Sequence, residues 1–135
     1  DVGNADPQAL QVAVAAAQAV ERLGMPEAQI PLAQAVTYVA SAPKSNAAYM
    51  AIAEAMEAVK NTKTTVPVHL QDAHYRGASK MGHGIGYKYA HDYSNHYVEQ
   101  QYMPSELQGK VFYTPTENGY EQNIRDYFKK IKENS

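Results

Sequence analysis

The chain contains no cysteine and no tryptophan, and only two of its 135 residues are phenylalanine. The missing cysteines exclude disulfides, thiolate nucleophiles and thiolate metal sites, and they suit a reducing compartment. No apolar run approaches the roughly 20 residues that a membrane span needs. A charged n-region followed by an apolar h-region is absent from the start, so no signal peptide is expected. Charge of one sign is also lacking. Twelve basic and fourteen acidic residues leave a net charge of -2, too little positive charge for wholesale, non-specific nucleic-acid binding.

What is present is unevenly distributed. Of 21 alanines, 18 lie in residues 1–59, and of 11 tyrosines, 9 lie beyond residue 60. Residues 1–59 carry a net -4, and residues 60–135 a net +2. An Ala-rich helical half is therefore followed by a Tyr-rich, more irregular half. The length suits one domain, residues 1–135, divided into a helical core (6–60), an irregular wrapping segment (61–115) and a closing helix (116–133). The start at Asp1, without Met and in mid-pattern, reads as an excised piece of a longer protein.

Local signals place the helices. Asp6 caps a first helix with Pro7 at its first position, and Gly24 ends it. A second helix is predicted from Pro31 to about Ser41, broken by Pro43. A third starts near Ser45, with Pro43, Lys44, Ser45 and Asn46 forming a capped junction. It carries Tyr49, Ile52, Met56 and Val59 at helical spacing. Residues 61–72 read as extended or looped, and His74 to Lys80 as a short helix. Pro104 to Leu107 reads as one helical turn, and Val111 to Tyr113 as a short extended piece. Thr116 is predicted to cap a last helix striped by Tyr120, Ile124, Tyr127, Phe128 and Ile131. The fold class is all-α, with four to six helices. Several helices are apolar around much of their circumference, which points to contacts on several sides.

The densest feature is Gly86–Pro104, which packs Tyr87, Tyr89, Tyr93, Tyr97 and Tyr102 around His91 and His96. Such a segment is too aromatic for a disordered linker. Tyr87, Tyr89, His91, Asp92, Tyr93 and Tyr97 are its candidate packing or interface residues, since tyrosine is enriched where one chain meets another. Lys60, Lys63, Arg76, Lys80 and Lys88 are the candidate nucleic-acid contacts, with tyrosines interleaved with Arg76 and Lys88. Enzyme motifs fail in turn. Gly82-His-Gly-Ile-Gly lacks the strand before it and the capped helix after it that a dinucleotide loop needs. Gly109-Lys110 is followed by Val111, so there is no P-loop. His69, His74, His83, His91 and His96 lack metal-ligand spacing. No serine sits in a nucleophile elbow. No catalytic residue, cofactor or metal is expected.

The order of short segments is itself distinctive. ALQVAVAAAQAVERLGMPEAQIPLAQA is followed by YVASAPKSNAAY, VPVHLQDA, GYKYAHDY, YVEQQYMP and FYTPTENGYE. Together they resemble the C-terminal region of the replication-associated recombination protein A family, bacterial relatives of Werner helicase-interacting protein. Asp1 to Pro7 matches that family's Asp-Ile-Gly-Leu-Ala-Asp-Pro segment, with Asn4 in place of an apolar residue. The resemblance implies an AAA+ ATPase of the clamp-loader clade whose P-loop, Mg-binding motif and sensors lie upstream. It implies ATP and Mg in that upstream region and none here. It also implies a C-terminal helical domain through which the ATPase assembles with itself, as a tetramer. DNA and replication proteins would be partners of the full-length protein, in the bacterial cytoplasm at the nucleoid.

Overall fold

The computed structural model describes residues 1–134, and every regular element among them is helical. The α-helices are α1 (Gln8–Leu23), α2 (Gln29–Ser41), α3 (Ala47–Asn61) and α4 (Glu121–Glu133). Single 3-10 turns occupy Gly3–Ala5, Val68–Leu70, Ser79–Met81, Ala90–Asp92, Ser94–His96 and Ser105–Leu107. The all-α class expected from sequence is the class observed. The chain divides into two compact units, one of Asp1–Ile52 with Tyr113–Tyr127, the other of Ala53–Phe112 with Phe128–Ser135. The divisions fall inside α3 and α4.

In the first unit the predicted cap is in place. The Gln8 N–H donates to Asp6 Oδ1 at 3.1 Å, while Asp6 Oδ2 accepts from the Tyr38 hydroxyl at 2.8 Å. One carboxylate thus caps α1 and ties it to α2, the helix packed against it. The Tyr38 hydroxyl is held above its ordinary pKa, chiefly because that bond to Asp6 would be lost on ionisation. The core here is built from small residues: Val2, Ala9 and Ala42, with Tyr38 and Val39 packed on them. Alanines let the backbones approach closely, and each buries little apolar area.

α2 begins at Gln29, two residues before the predicted Pro31. Pro31 lies in its first turn, where a missing N–H breaks no intrahelical bond. Ser45 opens α3: its Oγ accepts the Ala47 N–H at 3.1 Å, and its own N–H donates to the Asp1 carbonyl at 2.9 Å. The Lys44 ammonium turns back onto carbonyls at the end of α2, those of Val39, Ala40 and Ala42. A cation there opposes the helix dipole and satisfies carbonyls that have no intrahelical partner.

α4 departs from expectation. It starts at Glu121, not after Thr116. The Thr116 hydroxyl instead accepts the Asn118 N–H at 3.1 Å and donates to the Glu121 carboxylate at 2.9 Å. Between them Gly119 adopts a φ of +53°, and the next N–H, that of Tyr120, donates to the Ala5 carbonyl at 2.8 Å. A β-carbon on Gly119 would overlap the Ala5 carbonyl and come within 2.6 Å of Pro43. Only glycine fits this joint.

In the second unit the predicted helix from His74 to Lys80 is reduced to the 3-10 turn Ser79–Met81. Gly77, at φ +89°, interrupts it. The turn expected at Pro104–Leu107 is present as Ser105–Leu107. Side chains substitute for a ladder in holding the irregular backbone. The Gln100 amide pairs with both backbone groups of Lys88, accepting its N–H at 3.1 Å and donating to its carbonyl at 2.9 Å. The Tyr102 hydroxyl donates to the Val98 carbonyl at 2.7 Å, and His69 Nε2 donates to the Gln101 carbonyl at 2.7 Å. Ala78, Val98 and Leu107 are buried.

Candidate functional site

The most constrained polar group in the first unit was not visible in the sequence. Glu121 is 0 % exposed. Its carboxylate accepts the Tyr113 hydroxyl at 2.6 Å and the Thr116 hydroxyl at 2.9 Å, and the Ser45 side chain also bonds to it. The Tyr113 oxygen in turn accepts from Asn4 Nδ2 at 3.2 Å. Burial pushes the Glu121 carboxyl up, but the bonds from Ser45, Tyr113 and Thr116 outweigh it and hold the pKa below the usual glutamate value. Tyr113 is shifted the other way, by burial and by the carboxylate it donates to. Glu121 therefore stays ionised and joins the chain's first turn, the α2–α3 junction and the start of α4. The carboxylate is buried and accepts from three side-chain hydroxyls, so it fastens these segments to one another.

The Tyr-rich segment has the opposite character. Tyr87, Tyr89, His91, Asp92 and Tyr93 are exposed, and Tyr97 is half-buried. The structure brings some of them together. Tyr89 and His91 have ring centroids 5.1 Å apart, and His91 and His96 4.8 Å apart. Tyr87 lines a groove with His69, Leu70, Asp72 and His74. There Asp72 accepts both the backbone N–H and the ring N–H of His74 at 2.9 Å, which holds its carboxyl below the ordinary value. Tyr93 and Tyr97 line a hollow with Val98, Glu99 and Asn134. The three glycines of the Gly82–Gly86 run all take positive φ, between 76° and 84°, and turn the chain tightly. Gly84 passes against Ala73, with a virtual β-carbon 2.5 Å from the Ala73 β-carbon. Arg76, Lys80 and Lys88 are exposed.

The helices carry a third feature. Leu10 and Val14 on α1, Ile30 and Val36 on α2, and Tyr49, Ile52, Met56 and Val59 on α3 are all large, apolar and solvent-exposed. The α3 set is spaced three, four and three, so it forms one stripe along the helix.

A sequence profile described as MgsA AAA+ ATPase C terminal matches residues 1–132. The chain belongs to this family. Replication-associated recombination protein A of Bacillus subtilis is 47% identical over 97% of the chain and 32% of its own length. The protein of that name from Escherichia coli is 44% identical over 92% of the chain and 28% of its own length. ATPase WRNIP1 of Dictyostelium discoideum is 36% identical over 84% of the chain and 13% of its own length. The chain thus spans about a third or less of these relatives and corresponds to the C-terminal part of an AAA+ ATPase. The resemblance read from the ordered segments is to this same family. No helix among the described residues is long and apolar enough to cross a membrane.

Proposed function

We propose that this domain joins copies of its parent AAA+ ATPase to one another, as a tetramer, in a protein that maintains and recombines DNA at replication forks. The observation that carries the reading is the apolar exposure of the helices. Leu10 is 74 %, Ile30 76 %, Val36 66 % and Tyr49 70 % exposed. Large apolar side chains left in water on three successive helices favour contact with another chain. A stable pairing needs about 800 Å² from each partner, and side chains of this size contribute on the order of 2 kcal/mol each when fully buried. In the parent protein ATP and Mg belong to the upstream ATPase region, and DNA and replication proteins are partners of the whole assembly in the bacterial cytoplasm. This domain carries no catalytic role. Light scattering of the purified chain tests the reading. Association at tens of micromolar is expected, and a strict monomer would sink it.

A second reading, a nucleic-acid-binding module, rests on the exposed Arg76, Lys80 and Lys88. Titration against single strands and forks at rising salt separates the two, since binding through phosphates weakens steeply with salt. Binding that persists at moderate salt would favour this second reading.

A further inference from the structure

Among the described residues, no three histidine, aspartate, glutamate or cysteine side chains converge as a metal site would require. Two imidazoles do meet, although five positions separate them in sequence. We propose that His91 and His96 form a two-imidazole site for a late first-row divalent ion such as Cu²⁺, Ni²⁺ or Zn²⁺, with water completing the coordination.

Three observations converge on this pair. The first is distance. A metal–imidazole bond of about 2.0–2.1 Å, extended roughly 1.2 Å to the ring centre, places two rings on one ion about 4.5–5.2 Å apart for angles between square and tetrahedral. The observed separation is 4.8 Å, with the ring planes at 53° rather than stacked flat. The second is backbone. Asn95 and His96 take φ of +58° and +52°, the left-handed region, which asparagine and histidine enter more readily than most residues with a side chain. This reversal, inside the turn Ser94–His96, returns the His96 ring to His91 in the preceding turn, Ala90–Asp92. The third is availability. Both residues are exposed, and neither ring makes a hydrogen bond or ion pair among the described residues. By contrast His69 donates to the Gln101 carbonyl, His74 is held by Asp72 and His83 bonds to Tyr75.

Neutral imidazole suits borderline ions, whereas Mg²⁺ and Ca²⁺ prefer oxygen ligands. A bound ion would fasten the two turns to each other and stabilise the Tyr-rich segment by mass action. The site stands independently of the self-association proposed above.

Calorimetric titration of the chain with Ni²⁺, and with Mg²⁺ as control, tests it directly. One Ni²⁺ per chain is expected, with no Mg²⁺ uptake. His91→Gln and His96→Gln should each weaken Ni²⁺ binding by about tenfold or more, and His74→Gln should leave it unchanged. All three positions are exposed, and far-UV circular dichroism of each variant should overlay the parent. With one equivalent of Cu²⁺, electron paramagnetic resonance should show hyperfine coupling to two nitrogens. Absence of Ni²⁺ uptake, uptake lost in His74→Gln but kept in His96→Gln, or coupling to a single nitrogen would each overturn the proposal.

Discussion

Replacing Tyr113 by phenylalanine removes one oxygen from the interior of the first unit and leaves the ring. That oxygen donates to the buried Glu121 carboxylate at 2.6 Å and accepts from Asn4 at 3.2 Å. A hydrogen bond to a charged group is worth about 1.5–3 kcal/mol, and the bond to Asn4 adds roughly 1 kcal/mol at most. The phenylalanine variant should therefore lose about 2–4 kcal/mol in urea unfolding with an unchanged m-value. The pH dependence gives an independent check. Glu121 has a folded pKa below its unfolded value. Its stabilisation is thus fully present above the unfolded pKa and is lost as pH falls through the folded one. Removing the Tyr113 donor raises the folded pKa, so acid destabilisation of the variant should begin at higher pH than in the parent. In Glu121→Gln this group no longer titrates, and the difference between pH 7 and pH 3 should shrink. A phenylalanine variant within about 0.5 kcal/mol of the parent, with the same acid profile, would refute the claim that this network fastens the unit.

Four further outcomes follow from local geometry. Gly119→Ala should destabilise by more than about 2 kcal/mol, since φ is +53° and Ala5 and Pro43 occupy the space. Gly24→Ala, at φ +69° with nothing within 4 Å, should cost only about 1 kcal/mol, and equal costs in denaturant melts would contradict the packing argument. Asp6→Ala removes the α1 cap and the bond from Tyr38; a loss of about 1–2 kcal/mol is expected, with increased amide exchange at Gln8. Gln100→Ala removes both bonds to the Lys88 backbone, so exchange at the Lys88 amide should accelerate at least about tenfold while global stability changes little; unchanged exchange would show that the clamp does not hold the segment.

Sequence and structure agree most closely where one signal acts within a few residues. The Asp6 cap, the stop at Gly24, the Ser45 junction and the turn at Ser105–Leu107 stand where local rules place them. The rules miss where a distant partner takes over a local signal. Thr116 resembles a cap, but its hydroxyl is directed to Glu121, and α4 begins only once the Gly119 joint has closed on Ala5. His74 to Lys80 has helical residues around a glycine that the fold uses at positive φ. In the candidate sites, the tyrosines and histidines of Gly86–Pro104 stand out by composition. Which of them touch does not, because neither helix nor strand periodicity carries the segment.

The linear order of residues determined by itself the all-helical class, the three Ala-rich helices, the absence of a P-loop, and family membership through a series of segments in fixed sequence. These properties are local or purely sequential, so no folding is needed to read them. Tertiary structure decided that Glu121, one acid among fourteen, is the buried one, because only folding brings Ser45, Tyr113 and Thr116 to its two oxygens. It also decided that His91 and His96 meet, because left-handed backbone at Asn95 and His96 turns the chain there, and nothing in their spacing requires that turn.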